Sequence, residues 1–309
     1  MEKGVVIKST GSWYTVKTES GNFFNCKIRG TYRIKGIRAT SPVTVGDKVE
    51  ISGTAKDQTA IIEKIEERRN YMIRRASNLS KEYQLIASNI DQAWIIVSLV
   101  SPKTFLEFID RFLVTAQAYR IPASIVFNKT DLYSAKDHAE LEKLTKLYTD
   151  IGYTCYSVSA KKQINLDLLS KGLKGKITLI SGNSGVGKST LINTINPQLN
   201  LRTGRISDYH KTGKHTTTFA EMIELDDMTY IIDTPGIKGF GVVDFDKSEI
   251  FHFFPEIFSF SSFCQFTNCL HTHEPGCEVK KALEKGKIAQ SRYESYISIM
   301  DSENERYRL

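Results

Sequence analysis

The chain has 309 residues, 40% of them hydrophobic, enough for one nucleotide-sized α/β domain with a smaller module on each side. No run approaches the ~18 consecutive apolar residues of a membrane span, the first residues lack a secretory apolar stretch, and five cysteines are too few for a disulfide scaffold; we expect a soluble, cytoplasmic, monomeric protein. The net charge of +7 sits wholly in residues 1–90, with 16 Lys and Arg against 9 Asp and Glu, while residues 91–309 balance at 26 and 26, so the basic first module points to a polyanion, nucleic acid ahead of a membrane surface.

Five short strand-like runs, Gly4 to Ile7, Ser12 to Val16, Asn22 to Cys26, Lys48 to Ile51 and Thr59 to Ile62, are separated by glycine and charged turns. They predict a small closed barrel over residues 1–67, of the oligonucleotide/oligosaccharide-binding (OB) type. Trp13, Tyr14, Phe23, Phe24 and Tyr32 offer bases a stacking face beside Lys27, Arg29, Arg33, Lys35 and Arg38; equally, alternate aromatics fill the barrel interior. Residues 68–88 read as a linker whose arginine pairs, Arg68-Arg69 and Arg74-Arg75, suit either phosphate binding or a solvated connector.

From residue 89 to 243 apolar strands alternate with amphipathic helices, predicting a mainly parallel sheet covered on both faces, with ligands beyond the carboxyl ends of its strands. After the strand Ala123 to Phe127 comes Asn128-Lys129-Thr130-Asp131. A carboxylate at Asp131 accepts both the N1–H and the exocyclic amine of guanine, which adenine does not supply, and the Lys129 stem lies along a base, selecting GTP over ATP. Ser159-Ala160-Lys161, after the strand Cys155 to Val158, has the composition of a loop supporting the guanine carbonyl through a backbone N–H.

The strand Lys176 to Ser181 then runs into Gly182-Asn183-Ser184-Gly185-Val186-Gly187-Lys188-Ser189, and a helix leaves it with Thr190 in its first turn. This strand-to-helix setting makes G-x-x-x-x-G-K-S a phosphate loop: the glycines admit backbone N–H groups to the phosphates, Lys188 reaches the β- and γ-phosphates as a catalytic cation, and Ser189 binds magnesium. Gly204 to Phe219 holds His215, Thr216, Thr217 and Thr218; one threonine completes the magnesium shell when γ-phosphate is present, with Thr217 our choice. Asp233-Thr234-Pro235-Gly236, behind the strand Thr229 to Ile232, reads as a Walker B segment and switch, Asp233 holding magnesium through water and Gly236 donating to the γ-phosphate. Ile237 follows where many GTPases carry a water-orienting glutamine, a task no hydrocarbon performs. His215 is the candidate replacement, since imidazole orients water or accepts a proton.

Residues 244–309 carry Cys264-x4-Cys269-x-His271-x5-Cys277, three thiolates and an imidazole that suffice for a closed, structural zinc site. His273 competes with His271 as the fourth ligand. Lys280 to Arg292 reads as helix, with Tyr293 and Tyr296 beyond it.

The guanine loop thus precedes the phosphate loop, the reverse of the order in most GTPases, as joining close termini and cutting elsewhere would produce. The expected fold is multidomain: an N-terminal OB-fold barrel, a central circularly permuted P-loop α/β GTPase domain and a C-terminal α-helical zinc-binding module. With the permuted order, the barrel and the C-x4-C-x-H-x5-C module, the chain resembles the ribosome small-subunit-dependent GTPase A family (RsgA) over essentially its entire length. The matching stretches are Asn128 to Asp131, Gly182 to Ser189, His215 to Thr218, Asp233 to Gly236 and the zinc ligands, with the resemblance favouring His271 over His273. It implies a GTPase with GTP/GDP, Mg2+ and one structural Zn2+, acting late in maturation of the small ribosomal subunit, stimulated by that particle and binding its rRNA. A P-loop kinase or ATPase would leave Asn128 to Asp131 without a purpose, and a non-catalytic RNA-binding protein would leave the phosphate loop without one.

Overall fold

A computed structural model describes residues 1–28, 41–53, 59–75, 83–199, 220–226, 228–233 and 245–305. Strands β1 (Glu2–Ser9), β2 (Tyr14–Thr18), β3 (Phe23–Ile28), β4 (Lys48–Gly53) and β5 (Thr59–Ile65) pair in the order β1-β2-β3-β5-β4, and β4 returns to β1 to close the expected barrel. Side chains alternate across a strand with period two, so on β3 Phe24 and Cys26 point inward while Phe23, Asn25 and Lys27 point outward. The barrel core gathers Val6, Tyr14, Val16, Phe24, Cys26, Val49, Ile51 and Ile62. This divides the proposed stacking face: Tyr14 and Phe24 are 2% and 4% exposed and belong to the core, whereas Trp13 and Phe23 are 42% and 54% exposed. Tyr32, Arg29, Arg33, Lys35 and Arg38 lie outside the described residues.

The segment read as a linker is itself paired. β6 (Tyr71–Arg75) and β7 (Tyr83–Ser88) form an antiparallel hairpin. Arg68 is paired within the protein: its Nε and Nη2 each lie 2.6 Å from an oxygen of Asp47, a fully buried carboxylate that also accepts from Ser88 Oγ and Thr44 N. Arg69 pairs with Asp91 at 2.7 Å. The first arginine pair therefore clasps the barrel to the hairpin and to the next strand.

Strands β8 (Gln92–Val97), β9 (Ala123–Phe127), β10 (Thr154–Ser157), β11 (Ile177–Ser181), β12 (Glu221–Asp226) and β13 (Thr229–Asp233) take the order β10-β9-β8-β11-β13-β12, all parallel except β12. β8 is buried at every position, as a central parallel strand covered on both faces should be. Its Ile95 and Val97 enter one core with Phe112, Phe127 and Tyr148, and its Trp94 and Ile96 enter the opposite one with Val126, Ile180 and Leu191. Helices α1 (Leu106–Ala118), α2 (Ala135–Ile151), α3 (Leu166–Leu173) and α4 (Lys188–Ile195) supply these layers. α2 is bounded as its sequence dictates, by a Ser134/Asp137 capping box and by Gly152 at φ 112°.

Barrel and sheet are continuous. β12 pairs antiparallel with β1, Lys8 opposite Glu221, which covers an otherwise open sheet edge. Lys8 Nζ lies 3.1 Å from Glu221 Oε1, and Lys17 Nζ lies 2.5 and 2.7 Å from the two oxygens of Glu224. At the other end α5 (Pro255–Ser261), α6 (Glu278–Glu284) and α7 (Gln290–Glu305) surround a core of Ile250, Phe254, Ile257, Cys269, Cys277, Val279, Tyr296 and Ile299, which Val114 of α1 also enters. The single helix expected over 280–292 is instead two, because Gly286 at φ 68° turns the chain between α6 and α7. Among the described residues no helix is long and apolar enough to cross a membrane.

Candidate nucleotide and zinc sites

The carboxyl ends of β8, β9, β11 and β13 converge on one sheet edge, and the nucleotide candidates gather there. β11 delivers Ser181 to the loop 182–187 and α4 starts at Lys188, aiming free backbone N–H groups at that edge. Two glycines are required by contact as well as by conformation. A Cβ at Gly182 (φ 148°) would sit 2.2 Å from Ile96 O, and one at Gly187 (φ 97°) 2.5 Å from Asn128 Nδ2. Lys188 Nζ donates to Gly182 O at 2.5 Å and Asn183 O at 2.9 Å, so the ammonium lies over the loop. Burial lowers its pKa, and the Asp233 carboxylate nearby opposes that shift.

Asp233 ends β13 in register with Ile180 of β11, and its carboxylate acts on the Lys188 ammonium, whose neighbour Ser189 lies in the first turn of α4. Asp233 and Ser189 are buried, at 5% and 8% exposure. A hydroxyl and a carboxylate oxygen beside a phosphate loop are hard donors that suit magnesium, which binds through few protein ligands plus phosphates.

The guanine loop is tied to the phosphate loop through one side chain. Asn128, 1% exposed, donates from Nδ2 to Val186 O at 2.9 Å and accepts at Oδ1 from Ala160 N at 3.1 Å. Its amide thus holds three separate loops. Ser159 Oγ donates to Asp131 Oδ1 at 2.5 Å and itself accepts from Lys162 N, fixing the carboxylate that would face the base. Thr130 N and Oγ1 both donate to Val158 O. Lys129 takes a left-handed conformation (φ 66°) and sends Nζ to Ser101 O at 2.5 Å. Lys161 is exposed on the same loop as Ser159 and Ala160.

Two contributors were not anticipated. Tyr133 Oη donates to Asn128 O and accepts from Leu99 N, both at 3.0 Å, buttressing the guanine loop from beneath. The loop after β8 contributes Ser101 O to Lys129, and Pro102 Cδ lies 3.6 Å from the Cβ position of Gly185. An aromatic two residues past Asp131 was the sole sequence hint of the former, and a backbone carbonyl leaves none.

Cys264, Cys269, His271 and Cys277 come together with their ligand atoms all within 4.8 Å of one another. Zn–S near 2.3 Å and Zn–N near 2.0–2.1 Å imply tetrahedral edges of about 3.8 Å between sulfurs and about 3.6 Å between sulfur and nitrogen. Cys264 Sγ lies 3.5 Å from His271 Nδ1 and 4.0 Å from Cys277 Sγ, and Cys277 Sγ lies 3.6 Å from His271 Nδ1. The donor set therefore fits zinc, with Nδ1 as the nitrogen ligand, and leaves no position for activated water. His273, the competing candidate, is exposed outside the cluster. Glu274 accepts from the N–H groups of Leu270, Thr272 and His273, and those bonds outweigh burial to hold its pKa down to about 2. Tyr293 and Tyr296 donate to His271 O and Leu270 O, pinning the ligand turn to α7. Burial pushes the Cys269 thiol up to about 12 and raises Cys277 as well.

His215, Thr216, Thr217, Thr218, Thr234, Pro235, Gly236 and Ile237 lie outside the described residues. The remaining candidates, including Ser184 and Thr190 at either side of the Lys188 turn, occupy the single edge described above.

Comparison with known proteins agrees with this geometry. Residues 3–62 match the family model for the RsgA N-terminal domain, and residues 65–243 match that for the RsgA GTPase. The chain is 55% identical to the small ribosomal subunit biogenesis GTPase RsgA of Phocaeicola vulgatus and 54% identical to RsgA 2 of Bacteroides thetaiotaomicron, covering 99% of each chain in both pairs. Among solved structures it is similar to YjeQ from Thermotoga maritima (TM-score 0.78, 34% identity, 97% of this chain and 98% of that one). It is also similar to YloQ, a circularly permuted GTPase (TM-score 0.74, 30% identity, 99% and 96%). With both family models matched over residues 3–62 and 65–243 and relatives more than half identical along nearly the whole length, the chain belongs to the RsgA GTPase family.

Proposed function

We propose that this protein binds the small ribosomal subunit and hydrolyses GTP during its late maturation, and that the particle stimulates the hydrolysis. The nucleotide assignment is carried by Asn128, whose one amide holds Val186 of the phosphate loop and Ala160 of the loop after β10. The partner assignment is supported by relatives named small ribosomal subunit biogenesis GTPase at 54–55% identity over nearly the whole chain. Residues 1–67 serve as the RNA-binding barrel, 68–88 as its clasp, 89–243 as the permuted GTPase domain and 244–309 as the zinc module.

Asp131, braced by Ser159, accepts from the guanine N1–H and exocyclic amine, while Lys129 lies along the base. Gly182 to Gly187 offer backbone N–H groups to the phosphates, and Lys188 leaves its loop carbonyls to neutralise β- and γ-oxygens as charge develops there. Ser189, Asp233 and Thr217 would hold magnesium, which would supply positive charge to offset that of the phosphates. His215 orients the attacking water, and Gly236 donates to the γ-phosphate. Because the segment after Asp233 leads straight to the zinc module, rearrangement at the γ-phosphate changes how the module and barrel grip rRNA. Co-sedimentation with purified small subunits tests this reading: a non-hydrolysable GTP analogue should retain the protein and GDP release it, while equal retention would refute control by nucleotide state. His215→Ala should slow turnover and leave GTP affinity intact; unchanged turnover would remove His215 from the mechanism.

A further inference from the structure

The geometry points to Tyr133 as a positioning residue for guanine recognition: its hydroxyl, inserted between Leu99 N and Asn128 O, staples the turn that carries Asp131 and so sets the direction of that carboxylate toward the base. The inference rests on the guanine-nucleotide reading above and adds the residue outside the recognition loop's four positions that holds its specificity.

The ladder between β8 and β9 locates the insertion. Val97 pairs with Phe127, and Asn128 N donates to Val97 O at 2.8 Å. In a parallel ladder the next rung would run from Leu99 N straight to Asn128 O. Here the phenol occupies that rung, with Leu99 N donating to Tyr133 Oη and Tyr133 Oη donating to Asn128 O, both at 3.0 Å. The two strand ends are thereby held one hydroxyl apart. Burial pushes the phenol above its ordinary pKa, so at neutral pH it keeps the proton that it gives to Asn128 O.

The staple encloses the recognition turn. Thr130–Leu132 is a single 3-10 turn, a form whose own hydrogen bonding is poor, so the direction of Asp131 has to be fixed from outside it. Tyr133 N closes the turn on Thr130 O while the side chain of the same residue reaches back to Asn128 O, which places Asp131 inside a ring held at both ends. Ser159 Oγ constrains the carboxylate itself, and the ring constrains the backbone beneath it. The far anchor is braced as well. Thr104 N donates to Ser98 O and Ser98 N to Thr104 Oγ1, closing the loop 98–104 on itself, and Ser101 O of that loop accepts from Lys129 Nζ. The loop after β8 therefore grips the recognition loop at two points.

Removing the hydroxyl has two outcomes for the backbone. Leu99 N and Asn128 O stay apart as buried unpaired groups, which loosens the turn, or they close into a direct rung, which shifts it. A carboxylate that meets the N1–H and the exocyclic amine together depends on its direction, whereas the phosphates are held separately by the loop 182–187 and Lys188.

Inosine triphosphate keeps N1–H and lacks the exocyclic amine, so it isolates the contribution of a correctly aimed Asp131. In competitive binding the full-length parent should prefer GTP over inosine triphosphate by at least about tenfold, and Tyr133→Phe should bring that ratio close to one. A purely structural loss lowers both affinities together and leaves the ratio alone. Tyr153→Phe supplies that control: it deletes the hydroxyl of a tyrosine as buried as Tyr133, both 8% exposed, whose ring lies 6.0 Å from the Arg292 guanidinium, and it should keep the parent ratio. The parent gives a second readout that needs no variant, since amide exchange at Leu99 should slow when GDP binds. A ratio in Tyr133→Phe within about threefold of the parent's, or exchange at Leu99 indifferent to GDP, would overturn the staple and leave the guanine reading standing. A parent that binds the two triphosphates equally would remove the guanine reading and the staple with it.

Discussion

Arg292 offers the sharpest test of how the zinc module is joined to the nucleotide domain. Its guanidinium is fully buried, with Nη1 2.7 Å from Asp110 Oδ1 on α1 and Nε 2.6 Å from Glu256 Oε1 on α5. The Phe254 ring lies 4.6 Å away, and Tyr148 Oη donates to Asp110 Oδ1 at 2.8 Å. Burial alone would lower the Arg292 pKa, but Asp110 and Glu256 raise it above its ordinary value. Arg292→Ala leaves Asp110, 0% exposed, with the Tyr148 hydroxyl against its charge, and breaking such a buried pair costs about 3–5 kcal/mol. By contrast Glu107→Ala removes a half-exposed carboxylate bonded to Arg111 and Ser298 and should cost less than about 1 kcal/mol. The assay is urea unfolding of the zinc-loaded protein together with amide exchange in α1 and α7, since local opening of the junction precedes global unfolding. We predict exchange in α7 of Arg292→Ala faster by roughly a hundredfold, and Asp110→Ala in the Arg292→Ala background adding little. A loss within about 1 kcal/mol, or fully additive losses in the double variant, would refute the coupling.

Three further outcomes follow from the sites. Asp131→Asn should shift preference from GTP toward xanthosine triphosphate, whose exocyclic oxygen needs a donor; competitive nucleotide binding measures it, and intact guanine selectivity would contradict the assignment. Gly187→Ala should abolish GTP binding while the fold survives, because its Cβ would meet Asn128 Nδ2 at 2.5 Å and break the tie between the loops; a binding constant within about tenfold of the parent would count against that role. Protein purified without chelator should carry a single zinc, and zinc uptake by the stripped protein at neutral pH should release protons, since burial holds the Cys269 and Cys277 thiols protonated there. With the free thiol pKa raised, zinc affinity should rise with pH; metal-free protein or pH-independent uptake would contradict the site.

What could be read in advance divides along physical lines. Gly182, Gly187 and Lys188 were legible because a phosphate loop needs positive φ and an ammonium at fixed spacing, and the four zinc ligands because soft donors crowd into one short stretch. The side each barrel aromatic takes was not, since a one-residue register slip exchanges Trp13 with Tyr14 and Phe23 with Phe24. The Arg68–Asp47 clasp and the Arg292–Asp110 pair escaped notice for another reason. An ion pair across 182 residues leaves no local pattern, and an arginine reads as solvated until a buried carboxylate appears beside it. Gly286 was visible as a helix breaker within 280–292, but the surrounding lysines and alanines favoured continuation.

Whether a guanine-selective hydrolase is completed by its ribosomal partner, as proposed, is measured most directly as GTP turnover by the purified protein with and without small subunits, with large subunits and ATP as controls. Acceleration should be confined to GTP and small subunits and lost in Lys188→Ala. Turnover indifferent to small subunits, or equal with ATP, would refute completion of the site by the particle.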